Sequence, residues 1–200
     1  MKSLKELYRI GQGPSSSHTM GPRTAAEKIL QSYAEAPYFR VTLYGSLAAT
    51  GEGHLTDYAI KQVLGEKRTE IVWHPEIVLP YHPNGMKFEV LDNDKNIVHN
   101  WVVYSIGGGA LAEEGQSQID TPEIYDLDHL SDIQEWCKVR GNNYWEYVEI
   151  CEGKEIWEYM AEVWEVMKDA VERGIDHEGV LPGCLNLRRK APDYYIKAMG

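Results

Sequence analysis

The stretch Gly13-Pro14-Ser15-Ser16-Ser17-His18-Thr19-Met20-Gly21-Pro22 sets four hydroxyls and an imidazole immediately before a helical pattern. The first N–H groups of a helix lack intrahelical partners and carry partial positive charge, and hydroxyls add donors beside them. The chemistry this suits is capture of an anion, a carboxylate or a phosphate. One hydroxyl, from Ser17 or Thr19, would suffice as a cap, so this set is more than capping requires. A second stretch, Gly51-Glu52-Gly53-His54-Leu55-Thr56-Asp57, combines glycines that let a ligand approach the backbone with a histidine just before a helix start. Its plainer reading is a strand-to-helix loop with Asp57 answering the helix dipole. Tyr81-His82-Pro83-Asn84-Gly85-Met86 offers Asn84 as a polar candidate and otherwise reads as a turn. Ser105-Ile106-Gly107-Gly108-Gly109 is either a place of close approach or a flexible strand exit.

Other chemistries lack their signatures. The chain has no Gly-x-Gly-x-x-Gly spacing, no phosphate-binding Walker loop, no HExxH and no Gly-x-Ser-x-Gly elbow. No lysine is marked for pyridoxal phosphate. Ser17, His18, His54 and Asp57 supply the residue types of a Ser-His-Asp hydrolase without its motif. Cys137, Cys151 and Cys184 are widely spaced and odd in number, which fits neither a disulfide framework nor a CxxC metal site. An iron-sulfur cluster, which draws on several thiolates brought together, is not expected from them. A net charge of -11 argues against nucleic acid as a partner, because phosphate binding needs surplus Lys and Arg. No apolar run reaches the roughly 18 residues of a membrane span. Met1 to Glu6 has no signal-peptide core, so the expected compartment is the cytoplasm.

The elements that must position these residues follow from periodicity. Ser3-x-x-Glu6 reads as a capping box for a short helix ending at Gly11. A helix is expected from Met20 to Ala36, with Pro22 in its first turn and Ala25, Ala26, Ile29, Leu30 and Tyr33 on its apolar face. Phe39 to Tyr44 alternates as a strand. Gly45 to Gly53 reads as a loop of small residues, and a helix runs from Thr56 to Gly65. Strands are expected at Thr69 to Trp73, Met86 to Asp92 and Ile97 to Tyr104, the last two joined through Asp92-Asn93-Asp94-Lys95. Beyond that, Ser131-x-x-Gln134 reads as a capping box for a helix to Arg140, and one long helix is expected from Asn143 to Arg173. Its stripe of Trp145, Val148, Ile156, Met160, Val163, Met167 and Val171 reads as core or interface. A last element spans Asp193 to Met199.

Taken in order, the loops resemble one family. Gly13-Pro14-Ser15-Ser16-Ser17-His18-Thr19-x-Gly21-Pro22 is similar to the opening signature of the iron-sulfur L-serine dehydratases. Tyr44-Gly45-Ser46-Leu47-x-x-Thr50-Gly51-x-Gly53-His54-x-Thr56-Asp57 resembles its second block, and His82-Pro83-Asn84-Gly85-Met86 and Tyr104-Ser105-Ile106-Gly107-Gly108-Gly109 the third and fourth. Gly179-Val180-Leu181-Pro182-Gly183-x-Leu185-x-Leu187-x-Arg189-Lys190-Ala191-Pro192 resembles the entry to that family's second, α domain. The expected layout is a β domain over 1–141, a helical connection over 142–178 and the start of an α domain, cut short, over 179–200.

The resemblance implies an α/β fold with a small mixed sheet, similar to the allosteric substrate-binding domain of phosphoglycerate dehydrogenases. It implies conversion of L-serine to pyruvate and ammonia, a step of amino-acid catabolism and gluconeogenesis. The implied cofactor is a [4Fe-4S] cluster instead of pyridoxal phosphate, its cysteine ligands lying in the α domain and not in this chain. One iron would act on the substrate hydroxyl as a Lewis acid while a base removes the α-proton. The resulting aminoacrylate would tautomerise to an imine that water hydrolyses. In this half, Ser15, Ser16, Ser17 and Thr19 are the candidates for the substrate carboxylate. His18 and His54 are the candidates for proton transfer or orientation, and Asn84 is a further polar contact. The expected partners are L-serine, the α domain and a second copy of the chain in a homodimer, with no nucleic acid and no membrane. The alternative reading is a non-catalytic regulatory module that binds an amino acid or another small anion. A scaffold role would rest only on the Trp-rich helix.

Overall fold

In the computed structural model, residues 1–115 and 122–200 are described. They form two compact units. One comprises Gly11–Asp120 with Pro182–Asn186 and is built on a sheet. The other comprises Met1–Ile10, Thr121–Leu181 and Leu187–Gly200 and is largely helical. The first helix, α1 (Leu4–Leu7), belongs to the helical unit and is shorter than the expected run to Gly11.

The sheet unit opens with a π-helical turn, Ser16–Met20, that continues directly into α2 (Gly21–Ser32). Then come β1 (Tyr38–Tyr44), α3 (Gly45–Thr50), α4 (Thr56–Leu64), β2 (Thr69–His74), β3 (Gly85–Leu91), β4 (Ile97–Gly107) and β5 (Ala110–Ala112). The strand order is β2-β1-β3-β4-β5. β1 and β2 run parallel, so the chain between them must cross over, and α3 and α4 make that crossover. The remaining neighbours are antiparallel. The result is a mixed α/β fold, as expected.

Alternation decides which face is covered. Phe39, Val41 and Leu43 stand opposite Val90, Phe88 and Met86, and all six are buried on one side of the pleat. Ala25, Ala26 and Ile29 of α2 and Ile60 and Leu64 of α4 close the core over them. The opposite face carries charge: Arg40 Nε donates to Glu70 at 2.8 Å, and Lys87 pairs with Glu89 at 2.9 Å. The β3–β4 turn is held by Asp92, whose carboxylate accepts from the N–H groups of Asp94 and Asn96 at 2.9 Å each.

Two departures matter for the site. Gly45 to Gly53, expected to be a loop, contains the helix α3. Leu47, Ala48 and Ala49 favour a helix, Gly45, Ser46 and Thr50 do not, and tertiary partners hold its start. Gly45 N–H donates to Ile77 O at 2.8 Å and Ser46 N–H to Pro83 O at 3.1 Å. The short strand β5 was not expected, because three successive glycines at positive φ, Gly107 to Gly109, obscure its pairing with β4.

In the helical unit, α5 (Leu130–Arg140) ends at Gly141 in the left-handed region. It begins one residue before the expected capping box, and Ser131 Oγ bonds Asp132 Oδ1 instead of a backbone N–H. The expected single helix from Asn143 to Arg173 is two: α6 (Tyr144–Glu152) and α7 (Ile156–Asp176). Gly153, at φ +82°, turns the chain between them. Asn143 and Glu146 form a capping box for α6. Glu152, the last residue of α6, accepts from Ser3 Oγ at 2.7 Å, Leu4 N–H at 2.6 Å and Tyr125 Oη at 2.8 Å, which fastens α1. The last helix is α8 (Ala191–Met199). No helix among the described residues is long and apolar enough to cross a membrane.

Candidate functional site

The Ser-rich segment is neither loop nor ordinary helix. Ser15 caps the π-helical turn: its Oγ accepts from His18 N–H at 3.1 Å, and its carbonyl accepts from Thr19 N–H and Met20 N–H at 3.0 and 3.1 Å. The wider turn places Ser15, Ser16 and Ser17 at the start of one continuous helical run through α2. Ser16 is exposed, and Ser15 and Ser17 are half-buried.

Two threonines lock this segment to the His54 segment reciprocally. Thr19 Oγ1 donates to His54 O at 2.7 Å, and Thr56 Oγ1 donates to His18 O at 2.6 Å. Both threonines are buried. The clamp brings the His18 and His54 rings to 4.7 Å between centroids, tilted by 39°. His54 Nδ1 lies 2.9 Å from Thr50 O. A carbonyl only accepts, so that nitrogen carries the proton and Nε2 keeps a lone pair. His18 is held at both nitrogens, Nδ1 by Ser17 Oγ at 2.8 Å and Nε2 by Ser46 Oγ at 3.1 Å. Burial, and then the neighbouring His54, hold His18 below its usual pKa, against an upward pull from a hydrogen bond to the Ser46 backbone.

The four sequence blocks meet here. Ser46 N–H on Pro83 O ties the second block to the third. Asn84 Nδ2 donates to Ser105 O at 3.3 Å and Ser105 N–H to Asn84 O at 3.0 Å, tying the third to the fourth. Ser105 returns to the first block, since a Cβ placed on Gly21 would fall 2.2 Å from its Oγ. Pro182–Asn186 belongs to this unit too, and Leu185 lies 3.6 Å from where a Cβ on Gly53 would stand. Of the candidates, Ser15, Ser16, Ser17, His18 and His54 are gathered at one place, Thr19 points its hydroxyl inward at His54 O, and the Asn84 side chain is engaged with Ser105. Ser46, Thr50 and Thr56 were not singled out from sequence. The signal for Ser46 and Thr50 is the spacing 46, 50, 54: Thr50 Oγ1 bonds Ser46 O and His54 N–H bonds Thr50 O, one helical turn at a time.

The described residues do not suit a metal cluster. Cys137 is buried in α5, Cys151 half-buried in α6, and Cys184 exposed ahead of α8. Among the described residues no group of three or more His, Cys, Asp or Glu side chains is placed to hold a metal ion.

The model of the family described as serine dehydratase beta chain matches residues 3–67 and 61–116. Similar proteins include L-serine dehydratase TdcG of Escherichia coli, 30% identical, and L-serine dehydratase 2 of the same organism, 31% identical. Each alignment takes in 96% of this chain and 53% of the relative. The L-serine dehydratase of Streptomyces coelicolor is 31% identical over 94% of this chain and 53% of its own length. The chain therefore spans about half the length of these relatives.

Proposed function

We propose, since the chain belongs to the serine dehydratase beta-chain family, that it is the substrate-binding half of an L-serine ammonia-lyase, an enzyme that forms pyruvate and ammonia. The observation that carries this is the pair of imidazoles 4.7 Å apart beside a hydroxyl-rich helix start. The N–H groups at that start, with the Ser15 and Ser16 hydroxyls, suit the substrate carboxylate. Thr19 and Asn84 act as struts, because their polar groups are already bonded within the protein.

His54 is the base. Its Nε2 lone pair accepts the α-proton, and the imidazolium formed keeps its Nδ1–H on Thr50 O. His18, disfavoured as a cation by burial and by His54, stays neutral and orients the hydroxyls around it. The thiolates of an iron-sulfur cluster would have to come from outside this chain. The chain's own share is to bind, orient and deprotonate.

The test is an anaerobic pyruvate assay of the complete enzyme with His18→Ala and His54→Ala made singly. The H54A variant should lose roughly 10²- to 10⁴-fold in kcat. Near-normal turnover in both variants would refute the assignment. Calorimetric binding of L-serine to this chain, with no turnover by the complete enzyme, would make it a sensor instead.

A further inference from the structure

Leu55 stands between His54 and the clamp residue Thr56 with its backbone at φ 58° and ψ 35°, in the left-handed region. Leu55 N–H donates to Glu52 O at 3.3 Å and Thr56 N–H to Gly51 O at 2.9 Å. These paired bonds close the turn after α3 around one left-handed residue, a position that glycine usually fills because a Cβ is penalised there. The proposed base depends on this turn. Thr50 O accepts from His54 N–H at 3.2 Å and from His54 Nδ1–H at 2.9 Å, so the ring folds back on the end of α3. Just past the reversal, Thr56 sends its hydroxyl to His18 O. Glycine at position 55 would make the same turn without strain. What singles out leucine is the contact of its side chain.

That contact is with Pro182–Asn186, which belongs to the same unit. Leu55 Cδ2 lies 3.4 Å from where a Cβ on Gly183 would stand. On the other flank of His54, Leu185 Cδ1 lies 3.6 Å from where a Cβ on Gly53 would stand. The segment therefore meets the chain on both sides of the histidine. We infer that Leu55 is a positioning residue for the proposed base. Its side chain fixes Pro182–Asn186 against the turn that carries His54, and this brace keeps the imidazole in place for proton transfer. Strain at Leu55 is exchanged for the contact, the pattern expected where a backbone outlier serves function and not stability. The inference deepens the proposed function and rests on it for the role of His54, but the contact between Leu55 and Gly183 stands without it.

Methyl-labelled spectra of this chain should show nuclear Overhauser contacts between the Leu55 methyls and the Gly183 α-protons. Their absence would overturn the inference. Leu55→Asn puts in a residue that tolerates the left-handed region and lacks the apolar reach. Its urea midpoint should stay close to that of the wild type, while the complete enzyme loses about tenfold in kcat at unchanged KM. Leu55→Met, whose flexible apolar chain reaches Gly183 again, should recover most of that loss. Wild-type kcat in L55N, or a loss that L55M shares in full, would sink the idea. A fall in kcat matched by a fall in urea midpoint would make Leu55 a packing residue only. Should L55N fail to fold, Leu55→Gly makes the same comparison. A wild-type enzyme without serine turnover would remove the proposed function while leaving the methyl contacts as they are.

Discussion

His18 carries the pH dependence that belongs to the residue scale. Its pKa is lowered in the folded chain by burial and then by His54. Above the ordinary histidine pKa of about 6.5 the ring is neutral in folded and unfolded chains alike, and it adds no slope. As pH falls through that value the unfolded chain takes up the proton first. The unfolded state then binds more protons, so stability falls on acidification. Urea midpoints should decline from about pH 7 to about pH 5 in the wild type and decline less in His18→Asn. An identical acid limb in both would place the titration elsewhere. Thr19 and Thr56 belong to the same scale. Each donates its hydroxyl to the partner histidine's own carbonyl, so Thr19, which looks like a ligand contact in sequence, together with Thr56 fixes the distance between the rings.

At the scale of elements, α2 can approach β4 only because Gly21 has no side chain. A Cβ there would meet Ser105 Oγ at 2.2 Å and Ser105 Cβ at 2.9 Å. Gly21→Ala should destabilise by about 1–3 kcal/mol and shift the Ser15–Thr19 turn. Ser105 Oγ is buried without a hydrogen-bond partner, so Ser105→Ala should be neutral or stabilising. Adding Ser105→Gly to Gly21→Ala should restore much of the loss, as read by denaturant midpoint. No rescue by S105G would mean that the approach is limited by backbone, not by this side chain. The helix α3 teaches the same lesson in reverse. It forms between glycines because Leu47, Ala48 and Ala49 favour it, Ile77 O and Pro83 O receive its first N–H groups, and Gly51 fits against Trp73.

For the whole molecule, the sheet unit and the helical unit place their apolar surface differently. Phe88 is fully buried between β1 and β4, and Phe88→Ala should cost about 3–5 kcal/mol. Of the expected stripe in α7, Ile156 and Val163 are buried, but Met167 and Val171 are exposed, as is Trp164 at 61%. Trp164→Ala should therefore change the stability of this chain by no more than about 0.5 kcal/mol. A loss comparable to that of F88A would show that this face is covered within the chain in solution.

What the sequence determined by itself was local and chemical. Alternation in Phe39 to Tyr44 and in Met86 to Leu91 specified strands and their buried face, because side chains alternate with period two. Asp92 to Lys95 specified the hairpin through side-chain acceptance of backbone N–H groups, and the four loop blocks specified the family. The break at Gly153 was hidden because the apolar stripe continues across it, and only a positive φ interrupts the helix. The roles within the site were hidden for a different reason. Which ring nitrogen carries the proton depends on what stands across from it, and Ser46 reaches His18 only when the chain is folded, as Thr50 O reaches His54 only once that turn has formed. Composition names the hydroxyls and the imidazoles; tertiary structure sets their partners, and the Thr50 carbonyl across from His54 Nδ1 is what leaves the other nitrogen of that ring with a lone pair.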